Sequence, residues 1–305
     1  MPDIHHYWAN KFVTPMLQEA GFSTIDEFFS SSLLKAKERT GNPIARFVSV
    51  GSGNCDLEVS VVKNLRNSGF NKFTLDCIDI NPVMLERGKE IAKENGVLNN
   101  MRFIEVDFNT WIANNDYDGV MANHSLHHVL RLEHLFDQIH SRIHENGSFV
   151  INDMIGRNGH QRWPKSLEIV NKYWKILPEN YKFNVLLNRL EKTYDNWDCS
   201  KEGFEGIRAQ DVLPLLLQRF KCEKFIGFGS AIGIFVDRCF GPNFNRESEC
   251  DRKFIDRVHV EVEDEVGLKS GKLTPTQMLA VFVKTLHCIP YFSRGIDPAR
   301  SVRKP

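Results

Sequence analysis

Phe47-Val48-Ser49-Val50-Gly51-Ser52-Gly53-Asn54-Cys55-Asp56 is the stretch on which the reading of the fold turns. An apolar, β-forming run passes into Gly51-Ser52-Gly53, and a helical pattern starts straight after it at about Asp56. Glycine permits positive φ and a close backbone approach that a side chain would block. The helix start beyond it presents unpaired N–H groups and a partial positive charge. Strand, glycine turn and helix in that order suit a ligand loop, although a lone glycine turn also occurs where nothing binds.

Outward from this stretch the alternation repeats. Strands are expected at residues 46–50, 74–78, 102–106, 119–122 and 148–152, with helices at about 56–67, 82–94 and 132–144 between them. Asn81-Pro82 suits a helix start, because Asn caps free amides and Pro fits the first turn. The pattern predicts an α/β fold with a Rossmann-like, mostly parallel sheet and helices on both faces. A long helical stretch at about 164–195, a helix at 209–220, a strand at 222–227 and a last strand at 277–284 complete seven strands. Residues 1–44 read as an amino-terminal helical cap, with one helix over 4–17 and a second opening at a Ser23/Asp26 capping-box variant. Residues 45–305 form one domain carrying helical insertions at about 158–206 and 229–271.

Residues suited to a ligand end four successive strands. Asp79, followed by Ile80, ends the second beside the glycine loop, where a carboxylate can accept both ribose hydroxyls of an adenosine. Asp107 ends the third, placed for an adenine amino group, with Phe108 to cover the ring. Asn123 ends the fourth and opens a turn holding His124, His127 and His128, while Asp153 ends the fifth. Each alone also reads as a turn or capping residue. Together they fall on the edge where open parallel sheets bind ligands.

Gly51-Ser52-Gly53, the run Asp79-Ile80-Asn81-Pro82-Val83-Met84-Leu85, Asp107-Phe108 and the strand leading to Asn123 resemble the successive motifs of class I S-adenosylmethionine-dependent methyltransferases. The resemblance covers residues 45–155 well and the later elements loosely. It implies S-adenosyl-L-methionine as cofactor, with Gly51, Ser52 and Gly53 under its methionine part. It further implies Asp79 and Ile80 at the ribose, Asp107 and Phe108 at adenine, and Asn123 near the sulfonium. Two positions depart from the pattern: the acid usual before the first glycine is Ser49, and the usual third glycine is Cys55. Asp56 and Glu58 are the acids near enough to compensate.

A sulfonium donor is already activated, so methyl transfer needs mainly alignment, and a general base only where the acceptor is protonated. His124, His127, His128 and Asp153 are the candidates for that base. No metal is expected, since neither His5-His6 nor the spacing of His124, His127 and His128 matches a template placing three ligands on one helix face. Lys plus Arg equals Asp plus Glu at 39 each, so no global field draws the chain to nucleic acid or an anionic membrane. The fourth turn also lacks the Asn-Pro-Pro-Tyr phrase of enzymes that methylate exocyclic base amines, so the expected acceptor is a small molecule, including a sugar or peptide-like metabolite, methylated at O or N. No apolar run reaches membrane-spanning length, and the seven cysteines include no CxxC pair, so a reduced cytoplasmic protein is expected. An NAD-dependent oxidoreductase fits less well: its third glycine is missing, and Asp79 lies 28 positions past Gly51 against about 20 in that fingerprint. A non-catalytic scaffold of the same fold is the other alternative.

Overall fold

The computed structural model describes residues 1–262 and 267–303. Its centre is a sheet of β1 (Ala45–Val50), β2 (Phe73–Asp79), β3 (Met101–Glu105), β4 (Tyr117–Asn123), β5 (Ile143–Met154), β6 (Lys221–Phe228), β7 (Gln277–Val283) and β8 (Tyr291–Phe292). The strand order is β8-β6-β7-β5-β4-β1-β2-β3, and β7 alone runs antiparallel to its neighbours β5 and β6. The expected seven strands are therefore eight. The extra one, Tyr291–Phe292, pairs with β6 over two residues, too short a run to leave a period in the sequence.

Burial explains the strand composition. In β1, β2 and β4 nearly every side chain is enclosed, as expected where helices cover both faces of a parallel sheet. One face carries the helix Ile25–Thr40, whose Leu33 lies against β4 at Gly119; a Cβ on Gly119 would meet Leu33 Cδ2 at 2.5 Å. The other face carries the helices Leu132–Arg142 and Ala209–Arg219, with Phe149 of β5 in edge contact with Phe136 and Phe220. Ile4, Trp8, Phe28, Phe29 and Leu33 of the amino-terminal segment belong to the same continuous core as the sheet.

Several local expectations shift. The second helix is capped by Thr24, whose Oγ1 accepts from Glu27 N–H, while Glu27 accepts from Ser23 N–H. The capping box is thus Thr24/Glu27, one residue beyond the expected pair. The stretch expected to be helical over 164–195 is a helix only at Pro164–Ile176, because Leu177-Pro178 ends it. A small hairpin, Phe183–Asn184 with Arg189–Leu190, follows. The insertion at 229–271 holds the helices Gly233–Val236 and Glu249–Val260 among turns, and its residues 263–266 lie outside the described ones. No described helix is long and apolar enough to cross a membrane.

Leu33 is fully buried where the leading segment meets the sheet. Leu33→Ala is expected to lose about 2–5 kcal/mol of stability, the usual range for such a truncation, read from urea unfolding. A loss below about 0.5 kcal/mol, the range of a surface substitution, would mean that the segment lies outside the core.

Candidate active site

Parallel registry brings the carboxyl ends of β1, β2 and β4 level: Val50 stands opposite both Ile78 and Ala122. The chain leaving β1 must therefore turn between two neighbours. Gly51 does so at φ 73°, with Gly51 and Ser52 N–H both donating to Ile78 carbonyl oxygen. A Cβ on Gly51 would collide with Ser125 Cβ in the turn after β4, so only glycine fits there. Ser125 Oγ donates to Val50 carbonyl oxygen at 2.6 Å and pins the two loops together.

Asp79 closes the other side. Its Oδ2 accepts from Gly53 N–H at 2.8 Å and its Oδ1 from Asn81 N–H at 2.9 Å, while Val106 N–H donates to its carbonyl oxygen. Asn81 caps the next helix, accepting from Val83 and Met84 N–H. The loops after β1, β2, β3 and β4 thus meet at one edge. Beside Asp79, Ile80 leaves 58% of its surface exposed. Asp107 is exposed and accepts from both nitrogens of Asn109, and Phe108 is half-buried against the core.

The two motif departures have local partners. Cys55 adopts φ 59°, the left-handed conformation that glycine favours, and its sulfur leans on Gly88, where an added Cβ would lie 2.8 Å away. Ser49 Oγ donates to Glu58 at 2.6 Å, so the helix presents a buried carboxyl group to the strand position that lacks one. Burial pushes the Glu58 carboxyl up to about 7 despite the Ser49 hydrogen bond. Asp56, by contrast, is exposed.

After β4 the histidines separate. Asn123 Oδ1 accepts from Asn152 Nδ2 at 2.7 Å. His124 takes φ 51°, is exposed, and places Nε2 3.2 Å from the same Asn152 amide. His127 is buried, with Nδ1 2.6 Å from Asp153 Oδ1. The fully buried Asp153 also accepts from Ser125, Leu126 and Met154 N–H, which fixes the turn and orients the ring. The Nδ1–H donation to Asp153 leaves Nε2 facing outward, 3.7 Å from Glu205 Oε1. Burial works against a charged His127, but Asp153 and Glu205 outweigh it and lift the imidazole to about 9. Burial would raise Asp153, yet His127 holds it below the usual carboxylate range. His128 is half-exposed, its Nδ1 3.0 Å from Phe204 carbonyl oxygen.

Asn152, His160 and Glu205 were not singled out by the sequence. His160 and Glu205 lie in the insertion, paired at 2.7 Å, and Gly159 N–H donates to Gly206 carbonyl oxygen to hold the two strips together. No spacing links either residue to the fourth turn; the strip's proximity to His127 arises only on folding. Surface hollows of about 580 Å³, beside Met1–Asp3, and about 650 Å³, beside Ile44 and Phe73, lie elsewhere, the latter at the amino ends of β1 and β2.

Ser52 Oγ and Asn54 Oδ1 are buried with no hydrogen-bond partner among the described residues, and nothing stands within 4 Å of where a Gly53 Cβ would be. Buried polar atoms without partners are costly, so such a pair calls for a ligand or water.

Residues 45–203 match the family model described as a methyltransferase domain. The chain belongs to this family, the class I S-adenosylmethionine-dependent methyltransferases. Among solved structures it is similar to an S-adenosylmethionine-dependent methyltransferase from Clostridium acetobutylicum, at 14% identity over 50% of this chain and 63% of that one, with a TM-score of 0.35. It is also similar to the StiE O-methyltransferase segment, at 12% identity, 95% and 84% coverage and TM-score 0.48. A third likeness is geranyl diphosphate methyltransferase in complex with S-adenosylmethionine, at 12%, 84% and 85%, and 0.45. No curated protein sequence matches the chain.

Glu58 makes stability depend on pH in a defined direction. Its folded value, about 7, lies above the ordinary 4.5, so the folded state holds the proton more tightly. Stability therefore falls as pH rises from about 4.5 to 7, and the cost persists above that. Glu58→Gln should melt close to the wild type near pH 4 and progressively higher towards pH 8. A variant melting lower than the wild type at pH 8 would contradict this assignment.

Proposed function

We propose that this chain transfers the methyl group of S-adenosyl-L-methionine to a hydroxyl oxygen of a small molecule. The observation that carries the reading is the convergence of the four strand-end loops, with the His127–Asp153 pair at the far end of the same edge. Gly51, Ser52 and Gly53 would lie under the donor's methionine part. Asp79 keeps lone pairs on both oxygens for the ribose hydroxyls, and exposed Ile80 and half-buried Phe108 flank the adenine. Glu58 places a carboxyl group where the family usually has its acid, within reach of the loop through Ser49. Asn123 stands between this end and the histidine turn.

The bound donor supplies an activated methyl group on a sulfonium, and the protein's work is to align, exclude water and move one proton. His127 Nε2 is the accepting atom. Asp153 fixes the tautomer and balances the charge that develops on the ring, as a buried carboxylate does in other histidine bases. Glu205 lies where an acceptor oxygen would approach Nε2, and exchanging that carboxylate for a neutral hydroxyl removes one of the two groups that hold the ring's proton. A hydroxyl needs such a base; an acceptor already carrying a lone pair does not. His124 and His128, turned to Asn152 and Phe204, serve the walls of the acceptor space.

Calorimetry with S-adenosylhomocysteine and with NAD is the first test. Binding of the former only, weakened at least tenfold in Asp79→Ala, is expected; NAD binding, or binding of neither, would overturn the donor reading. A screen of hydroxyl and amine metabolites with labelled donor then identifies the acceptor. On that acceptor His127→Ala and Asp153→Asn should slow turnover by about 10²–10⁴, the usual contribution of a general base, while S-adenosylhomocysteine affinity stays within about threefold, roughly 0.6 kcal/mol. Unchanged turnover in both variants would remove the base from the mechanism.

A further inference from the structure

Three side chains from three separate segments meet beyond the β4 edge. His127 comes from the turn after β4, His160 from the turn after β5, and Glu205 from the end of the insertion. One ligand-type atom from each, two imidazole nitrogens and a carboxylate oxygen, lies within 4.8 Å of the other two. Glu205 Oε1 is 2.7 Å from His160 Nε2 and 3.7 Å from His127 Nε2. Ligand atoms about 2.0–2.2 Å from a tetrahedral zinc stand roughly 3.4 Å apart. The observed spacings bracket that figure, so a cation would be admitted by shifts of side-chain size.

The surrounding contacts suit a set of metal ligands. His127 is held through Nδ1 by the buried Asp153, the carboxylate–histidine arrangement that orients zinc-binding imidazoles and raises their basicity. Arg162 donates to the His160 carbonyl oxygen, and Gly159 pairs with Gly206, so His160 and Glu205 are carried on a braced strip. Two negative groups, Asp153 and Glu205, flank two imidazoles only 5.5 Å apart between ring centres. Two imidazoles and one carboxylate are borderline ligands that suit zinc and neighbouring transition metals, and not magnesium or calcium.

We propose that His127, His160 and Glu205 form a three-ligand site for a zinc-class dication, with the fourth position open towards the acceptor space. The expectation of no metal rested on spacing within single segments; this trio is assembled across three. The site does not depend on the methyl-transfer reading: bound zinc would occupy the His127 Nε2 lone pair, so the metal-free chain is the form in which His127 can act as the base.

The test is a zinc titration of the full chain, stripped with chelator beforehand, in competition with a chromophoric chelator. S-adenosylhomocysteine binding is measured separately on the same samples, so the donor reading and the metal site stand or fall apart. One zinc per chain is expected, with affinity reduced at least tenfold in each of His160→Gln and Glu205→Gln. Asp153→Asn should lower it by about 10–100-fold, as loss of a carboxylate partner does. Far-ultraviolet circular dichroism establishes that each variant is folded, and the three substitutions fall on separate segments, so a single misfolded variant leaves the comparison intact. Absence of stoichiometric zinc on the wild type would overturn the proposal. So would equal affinity in the folded variants, which would place the metal on exposed thiols such as Cys250 and Cys288.

Discussion

Two buried carboxylates at strand ends, each wired to backbone amides of a neighbouring loop, hold the working edge of this molecule together. Asp79 accepts from Gly53 and Asn81, joining the turns after β1 and β2. Asp153 accepts from Ser125, Leu126 and Met154 and orients His127, joining the turns after β4 and β5. Hydrogen bonds to charged groups contribute about 1.5–3 kcal/mol each, and a buried carboxylate left without them would cost more. The two acids therefore serve structure and candidate chemistry at once. Ser125 is the clasp between them, touching Val50 with its hydroxyl and filling the space above Gly51.

This double duty changes how the motif departures are understood. Cys55 takes the left-handed conformation that glycine favours, and its side chain packs against Gly88 of the next helix, where a larger residue would collide. Ser49 carries no carboxyl group, and Glu58 brings one to it from the first turn of the following helix. At Ser49 the carboxyl group is thus supplied by the following helix and not by the strand. A reading tied to fixed motif positions scores these as losses.

Where the sequence was legible, the signal was local. The strands from β1 to β5, the Asn81 cap and the glycine loop all follow from short-range periodicity and capping rules. The same reasoning placed the capping box at Ser23/Asp26, one residue from Thr24/Glu27, because adjacent hydroxyl and acidic residues satisfy the pattern in either register. It carried the helix at Pro164 past Ile176, because the aromatic residues beyond keep an amphipathic look after Leu177-Pro178 has ended it. It missed β8, whose two residues gain their pairing only from β6. His127 and Asp153 were legible as ends of neighbouring strands, whereas Glu205 and His160 were not, since their approach to His127 depends on how a long insertion folds back. Asp107 and Phe108 were placed at the right edge, yet Asp107 turns to Asn109 and Phe108 leans on the core.

Whether these strand-end loops form one cleft for an adenosyl sulfonium is decided by a crystal structure of the chain with S-adenosylhomocysteine. The amino-acid part should lie along residues 51–53, with Ser52 Oγ and Asn54 Oδ1 newly hydrogen-bonded, and the ribose on Asp79. Density for the ligand away from the carboxyl ends of β1 and β2, or a complex in which Ser52 and Asn54 remain without partners, would contradict the single cleft.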